Sequence, residues 1–262
     1  MPNGTPRNSA DLEVEASKRE ALQRFQQIEG LARDVTDNSL SLERTQEALG
    51  TAIRKVTKIE DKEIGTIQRV VEERAARGEI NNIACCKGCW YCCAQMVAAT
   101  IPEVLRLANH IRESWTDDQR ARLAERMAEY MTATGPYHEG TTKAKPRFIC
   151  PLLQEAACSV WEVRPIVCRG VNSTDVALCK AKMDDPVGDP MIPQIAGQYY
   201  TSMYSRSGMR HALRKHGLDN RLHEMIPALV IAMANPDAAE RYLAGEPVFA
   251  GTEIQGKDVG EG

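Results

Sequence analysis

The chain has 262 residues, 43% of them hydrophobic and 26% charged, enough apolar material for one large domain or a core domain with an appendage. A formal charge of -3 gives no whole-chain electrostatic reason to bind nucleic acid or an anionic membrane. Residues 1–20 carry several acids and no apolar stretch, and no run reaches the length of a membrane span, so the expected setting is the cytoplasm without membrane contact.

In chain order, Leu22, Phe25, Ile28, Leu31 and Val35 step by three and four and predict a helix from Asp11 that breaks at residues 36–41. Leu49, Ile53, Val56, Ile64, Ile67 and Val71 predict a second, fading near Gly78. Together they make residues 1–80 an N-terminal helical hairpin or coiled-coil-like arm without a cysteine, which either covers the core or joins two chains as a homodimer. Residues 81–250 are the cysteine-bearing domain. Within it, Ile101-Pro102-Glu103 opens a helix with proline in the first turn, where its missing N–H is harmless. Thr116 caps the next, from Asp117 to about Thr132, followed by a loop over residues 134–146.

Residues 148–165 hold two short apolar runs around residues 154–157 and predict a small hairpin carrying Cys150 and Cys158. Residues 172–175 offer N-caps for a short helix carrying Cys179; residues 183–193, with three prolines, predict a loop; residues 194–242 are helical again. Residues 251–262 are Gly-rich and polar and predict a disordered tail. The fold class is therefore mainly α: a helical domain around a cysteine-rich metal knot with a small β-hairpin, plus the N-terminal arm.

Nine cysteines in a reducing compartment are better used on metal than in disulfides, and the odd number leaves a thiol over in any pairing. Cys86, Cys89, Cys92 and Cys93 follow a C-x2-C-x2-C-C spacing, whose two-residue gaps turn consecutive thiolates toward one centre. Cys85 just before them is set aside. Cys150, Cys158, Cys168 and Cys179 bring the metal-ligand candidates to eight, which suits two four-thiolate centres or one cluster with extra ligands. The neighbours Cys92 and Cys93 point to different sides of the backbone, which is awkward for two ligands of one compact ion. Three cysteines at two-residue gaps, completed by the remote Cys150-Pro151, resemble a ferredoxin-type pattern, so an iron–sulfur cluster of the [4Fe–4S] type is preferred, with zinc the alternative. Buried free thiols, or a dithiol redox pair at Cys89 and Cys92, are the readings without metal.

The stretch CCKGCWYCC, followed by CPLLQEAACSVWEVRPIVCRGVNSTDVALCKA, resembles the YkgJ-type cysteine-cluster family over about residues 84–180. The Lys87-Gly88 spacer, the Cys150-Pro151-Leu152-Leu153 start and the Arg164-Pro165 and Cys168-Arg169 pairs carry the resemblance in order. It implies zinc or iron chelation or an iron–sulfur centre. The family also includes flagellin lysine N-methylases, but no Gly-rich methyl-donor loop is identifiable in this chain, and the N-terminal arm and Cys85 lie outside the motif.

Arg164 and Arg169 are the candidate cofactor-binding residues: they donate to cluster sulfurs or hold an anionic substrate, or else they clamp the knot. Trp90, Tyr91 and Trp161 read as core packing and shielding of the centre, with electron relay or ligand stacking as the alternative. Arg206, Arg210 and Arg214 recur at helical spacing and read as a solvated face rather than a polyanion site. No histidine pair has ligand spacing, and there is no P-loop, dinucleotide fingerprint or G-x-S-x-G motif. Three functions follow: a metal- or cluster-binding protein serving electron transfer, cluster handling or sensing with a protein or redox partner; a cluster-dependent modification enzyme resembling the methylase branch; and a zinc-stabilised structural or interaction protein.

Overall fold

The N-terminal helix α1, Ser9–Leu42, is longer than its periodicity suggests. It runs straight through residues 36–41, where a break is predicted. Thr36 and Ser39 turn their hydroxyls back onto the carbonyls of Ala32 (2.8 Å) and Val35 (2.7 Å), so their polar groups are satisfied within the helix while Leu40 stays on its buried face. The chain reverses instead at residues 43–45, and Thr45 caps helix α2, Gln46–Ala76, by accepting from Ala48 N–H at 3.2 Å. The computed structural model to which these elements belong describes residues 9–138, 148–185 and 190–254.

Both long helices pack on a third, α7, Ala196–Lys215. The closest approach is at Gly208, where a Cβ would collide with the Glu29 main-chain carbonyl of α1; only glycine lets the two backbones cross there. Arg24 on α1 grips both carboxylate oxygens of Glu63 on α2 at 2.7 Å, and Lys215 reaches Asp37 at 2.7 Å. The apolar faces of α2, α3 (Ile101–Ser114), α4 (Asp117–His138), α7 and α8 (Met225–Ala234) meet in one core that includes Ile53, Leu107, Ile111, Leu123, Leu213 and Leu229. Each such side chain, taken wholly out of water, contributes about 1.5–3 kcal/mol. The small helix α9, Ala238–Leu243, adds Tyr242 to the same core.

Two small antiparallel sheets frame the cysteines. Strand β1, Ala98–Ala99, pairs with β4, His223–Glu224, and ties the end of the cysteine segment to the end of the core. Strands β2, Leu153–Gln154, and β3, Ala157–Cys158, form the expected hairpin, turning at Glu155 and Ala156 with φ of 48° and 57°. That left-handed pair is the conformation of a two-residue hairpin loop, here without the glycine or asparagine that announces one. Helix α5, Ile166–Gly170, carries Cys168, and α6, Val176–Asp184, capped by Asp175, carries Cys179.

Further differences from the sequence reading follow from pairing. Helix α4 continues to His138, so the predicted loop begins later, and residues 139–147 lie outside the described residues. Met183 and Asp184 finish α6, and residues 186–189 of the following predicted loop also lie outside. The predicted tail does not begin at Gly251: Thr252 is buried and its carbonyl accepts from Glu224 N–H at 2.8 Å, and Ile254 N–H donates to Leu222 at 2.9 Å. Main-chain bonds hold this segment whatever its side chains, which is why composition misreads it. Residues 255–262 lie outside the described residues.

Candidate metal centre

The C-x2-C spacing closes for a local reason. Cys89 N–H donates to the Cys86 carbonyl at 3.0 Å across Lys87-Gly88, and Gly88 supplies the φ of 90° that this turn needs. A 3-10 turn at Tyr91–Ala94 then carries Cys92 and Cys93. The remote cysteines are brought back by main-chain bonds. Cys150 N–H donates to the Cys93 carbonyl at 2.8 Å, the β2–β3 hairpin sets Cys158 opposite Leu153, and Ala84 N–H donates to the Ser173 carbonyl at 2.8 Å, beside the start of α6. Helix α6 itself packs on the 3-10 turn.

All nine cysteines are free thiols. Eight of them, all but Cys179, line one cavity of about 1140 Å³, together with Arg164, Arg169 and, from α7, Arg206, Arg210 and Arg214. The α7 stripe divides: Arg206 is only 6% exposed and donates to the Ala98 carbonyl at 3.1 Å, Arg210 is half-buried, and Arg214 is exposed, as a solvated face requires. A stripe at helical spacing is compatible with either environment; for Arg206 the bond to Ala98 of β1 decides.

The two candidate arginines separate. Arg169 is spent on protein groups: its guanidinium reaches both oxygens of Asp61 at 2.7 and 2.8 Å, the Glu162 carbonyl at 2.6 Å and the Arg164 carbonyl at 3.2 Å. It clamps α5 to α2. Arg164 stacks its guanidinium 3.5 Å from the Trp161 ring centroid and interacts with the Cys168 and Cys158 thiols. Its Nε is buried without a hydrogen-bond partner among the described residues. Trp161 is 62% exposed and so shields Arg164 rather than packing in the core, whereas Trp90 and Tyr91 are half-buried and stacked at 5.3 Å.

Burial dominates the acid–base behaviour of the thiols. It pushes Cys150 up to about 11, Cys168 well above the ordinary value, and Cys158 and Cys89 upward. Cys92 is the exception, drawn down to about 7 by a hydrogen bond from the Cys93 thiol, with Arg164 adding a smaller attraction; Cys93 is raised in consequence. Among the described residues, no three or more His, Cys, Asp or Glu side chains stand already arranged to hold an ion. The donors are near one another without being closed on a common point, as expected where ligand closure accompanies binding.

The residue types fit a thiophilic metal: many thiols around one cavity, and beside them an orphaned arginine N–H suited to a thiolate or sulfide. Residues 85–185 match the CxxCxxCC family model. That family is described as a "putative zinc- or iron-chelating domain", the same family that the cysteine spacing resembles. No match was found among curated proteins or among solved structures. The CxxCxxCC segment thus supports metal binding by cysteines and leaves both zinc and iron open.

Several supporting residues gave no signal in the sequence. Asp61 partners Arg169 from 108 positions away. Glu103 caps α3 by accepting from the Thr100 N–H and hydroxyl at 2.8 Å, and its other oxygen accepts from Ile166 N–H at 2.7 Å, at the head of the helix that carries Cys168. Glu60 is fully buried between α2 and α7, hydrogen-bonded by Ser202, with one oxygen unpartnered among the described residues. Only the apolar spacing around Glu60 hints that it faces inward. Among the described residues, no helix is long and apolar enough to cross a membrane.

Proposed function

We propose that the CxxCxxCC segment holds an iron–sulfur cluster of the [4Fe–4S] type through cysteine thiolates, and that the cytoplasmic protein serves electron transfer, cluster handling or sensing with a redox partner. The orphaned Nε of Arg164, buried beside Cys158 and Cys168, carries this reading. An unsatisfied buried donor is costly, and an anionic sulfur centre gives it an acceptor that a neutral thiol supplies poorly. The ligands would come from Cys86, Cys89, Cys92, Cys93, Cys150, Cys158, Cys168 and Cys179. The bound cluster would supply one-electron chemistry. Arg164 would donate to sulfur, Trp161 would keep water from the guanidinium, and Arg169 would hold α5 in place from Asp61. Anaerobic purification tests the reading: a brown protein with broad absorbance near about 400 nm and matched iron and sulfide is expected. A colourless protein with tightly held zinc overturns it in favour of a zinc-stabilised structural or interaction protein.

A second reading, a metal-dependent modification enzyme, is favoured by the cavity of about 1140 Å³ that adjoins the thiols. That volume admits a small-molecule or side-chain substrate, whereas a purely structural knot needs no such space.

A further inference from the structure

The cavity beside the thiols has an excess of positive charge that metal binding uses only in part. Among the described residues it is lined by six cationic side chains, Lys87, Arg164, Arg169, Arg206, Arg210 and Arg214, and by one carboxylate, Asp61, in a chain whose formal charge is -3. Asp61 is bound on both oxygens by Arg169. Arg164 stands beside Cys158 and Cys168, and Lys87 lies between Cys86 and Cys89, so these two belong to the thiol end. The three arginines of α7 line the other end. They recur every four residues, about 6 Å apart along the helix, and their exposure is graded: Arg206 is buried, Arg210 half-buried and Arg214 exposed. Arg206 donates to the Ala98 carbonyl at 3.1 Å and Arg210 to the Asn220 carbonyl at 2.6 Å; a main-chain acceptor fixes a guanidinium but carries no charge to neutralise it. The α1 carboxylates that reach α7 are engaged by other groups. Glu29 accepts from Ser207 at 2.6 Å and pairs with His211 at 3.2 Å, and Asp37 pairs with Lys215 at 2.7 Å and His216 at 2.8 Å. Beside the arginines, the segments around β1 and β4 add apolar lining in Val97, Leu222 and Met225. Ala98, the anchor of Arg206, follows Cys93 by a stretch that spans at most about 18 Å, so one elongated small molecule can touch both ends.

We propose that the α7 end of this cavity binds an amphipathic organic anion, its carboxylate or phosphate head on Arg210 and Arg214 and its apolar body along Val97, Leu222 and Met225 toward the thiols. A planar guanidinium meets either head group through two parallel hydrogen bonds. The graded row acts as a funnel. Arg214 at the mouth attracts the anion, and Arg206 at the floor carries positive potential inward, where low-dielectric walls strengthen it. The apolar lining discriminates against an anion without a hydrocarbon body, because it offers nothing in place of the water such an ion gives up. A neutral apolar molecule, in turn, gains nothing from the arginines. The site depends on the cavity and not on which metal the thiols hold; resting on the reading of the protein as a modification enzyme, it gives that enzyme the chemical class of its substrate.

The test is isothermal titration calorimetry of the full-length protein as purified, with octanoate, octyl phosphate, octanol and inorganic phosphate as probes and metal content measured in parallel. At least one octyl anion is expected to bind, about tenfold or more tightly than octanol and inorganic phosphate, with an affinity that falls as salt is raised. The tighter of the two identifies the head group. Arg214 is exposed, so its replacement leaves the packing of α7 alone. Arg214→Glu and Arg210→Met should each weaken binding about tenfold or more with metal content unchanged. Arg122→Glu, the same charge change on an exposed side chain of α4, should bind as wild type does. Absence of binding by both anions, equal binding by octanol, undiminished binding by Arg214→Glu and Arg210→Met, or an equal loss in Arg122→Glu overturns the site. Loss of metal in Arg214→Glu assigns the arginine row to the metal centre and overturns it as well. A protein that carries no metal and still binds the anion through Arg210 and Arg214 upholds the site and removes only the metal reading.

Discussion

Glu60 is a carboxyl that keeps its proton at neutral pH: burial raises it to about 8, against a weaker pull from the Ser202 hydrogen bond. Below about pH 4.5 the folded and unfolded chains are both protonated there. Between that value and about 8 only the unfolded chain releases the proton, so stability falls by up to about 1.4 kcal/mol for each pH unit, and above 8 it changes no further on this account. Glu60→Gln keeps a partner for Ser202 and removes the ionisation. The variant should therefore melt above wild type at pH 8 and lose most of that advantage at pH 5. An equal difference at both values would place the effect in packing instead. Arg164 acts at the same scale. Replacing it with methionine withdraws the donor beside Cys158 and Cys168, and an outer hydrogen bond to a metal ligand is worth about 10- to 100-fold in metal affinity. Competition against a chelator measures this, with circular dichroism as the control for folding.

At the scale of elements, the α1–α7 crossing depends on one missing side chain. A Cβ at position 208 meets main chain rather than a movable side chain, so Gly208→Ala has to push the helices apart. The expected cost is at least the 1–3 kcal/mol or so typical of overpacking, read from a denaturant melt. The cysteine elements obey a different logic. The hairpin is short and its turn residues are ordinary, so it is held less by turn chemistry than by what docks it: Cys150 bonded to the Cys93 main chain, and the Arg126 side chain donating to the Pro151 carbonyl at 2.8 Å. Helix α5 is only one turn long, and it depends on the Asp61–Arg169 clamp and on Glu103.

For the whole molecule, metal binding and folding are coupled, because the thiols come from the loop before the 3-10 turn, the hairpin, α5 and α6 at once. Removing the metal is expected to lower the melting temperature, and the loss should be reversible on reloading. The raised thiols add a pH dependence of known sign. Cys150, Cys158 and Cys168 are protonated at neutral pH, so ligation must release their protons, and each proton released makes the affinity rise about tenfold per pH unit. Metal retention against a chelator whose own pH dependence is known should fall sharply from pH 8 to pH 6. A flat profile would count against these cysteines as ligands.

The chain's own order of residues determined the helices, through apolar periods long enough to stand above local exceptions, and the cysteine motif, whose gaps close by a local turn at Gly88. It also placed the small hairpin, although the turn residues Glu155 and Ala156 announce it weakly. Tertiary structure decided the rest. Thr36 and Ser39 look like a break until the buried face of α1 needs Leu40; Arg206 looks solvated until α7 buries it against Ala98, while Arg214 on the same stripe stays exposed; the segment from Thr252 to Ile254 looks frayed until it pairs with residues 222–224. Arg164 and Arg169 are indistinguishable in sequence, and only the position of Asp61 makes one a clamp and leaves the other facing thiols. The grouping of the cysteines is of the same kind: spacing orders thiols along the chain, whereas a centre depends on which of them approach through space.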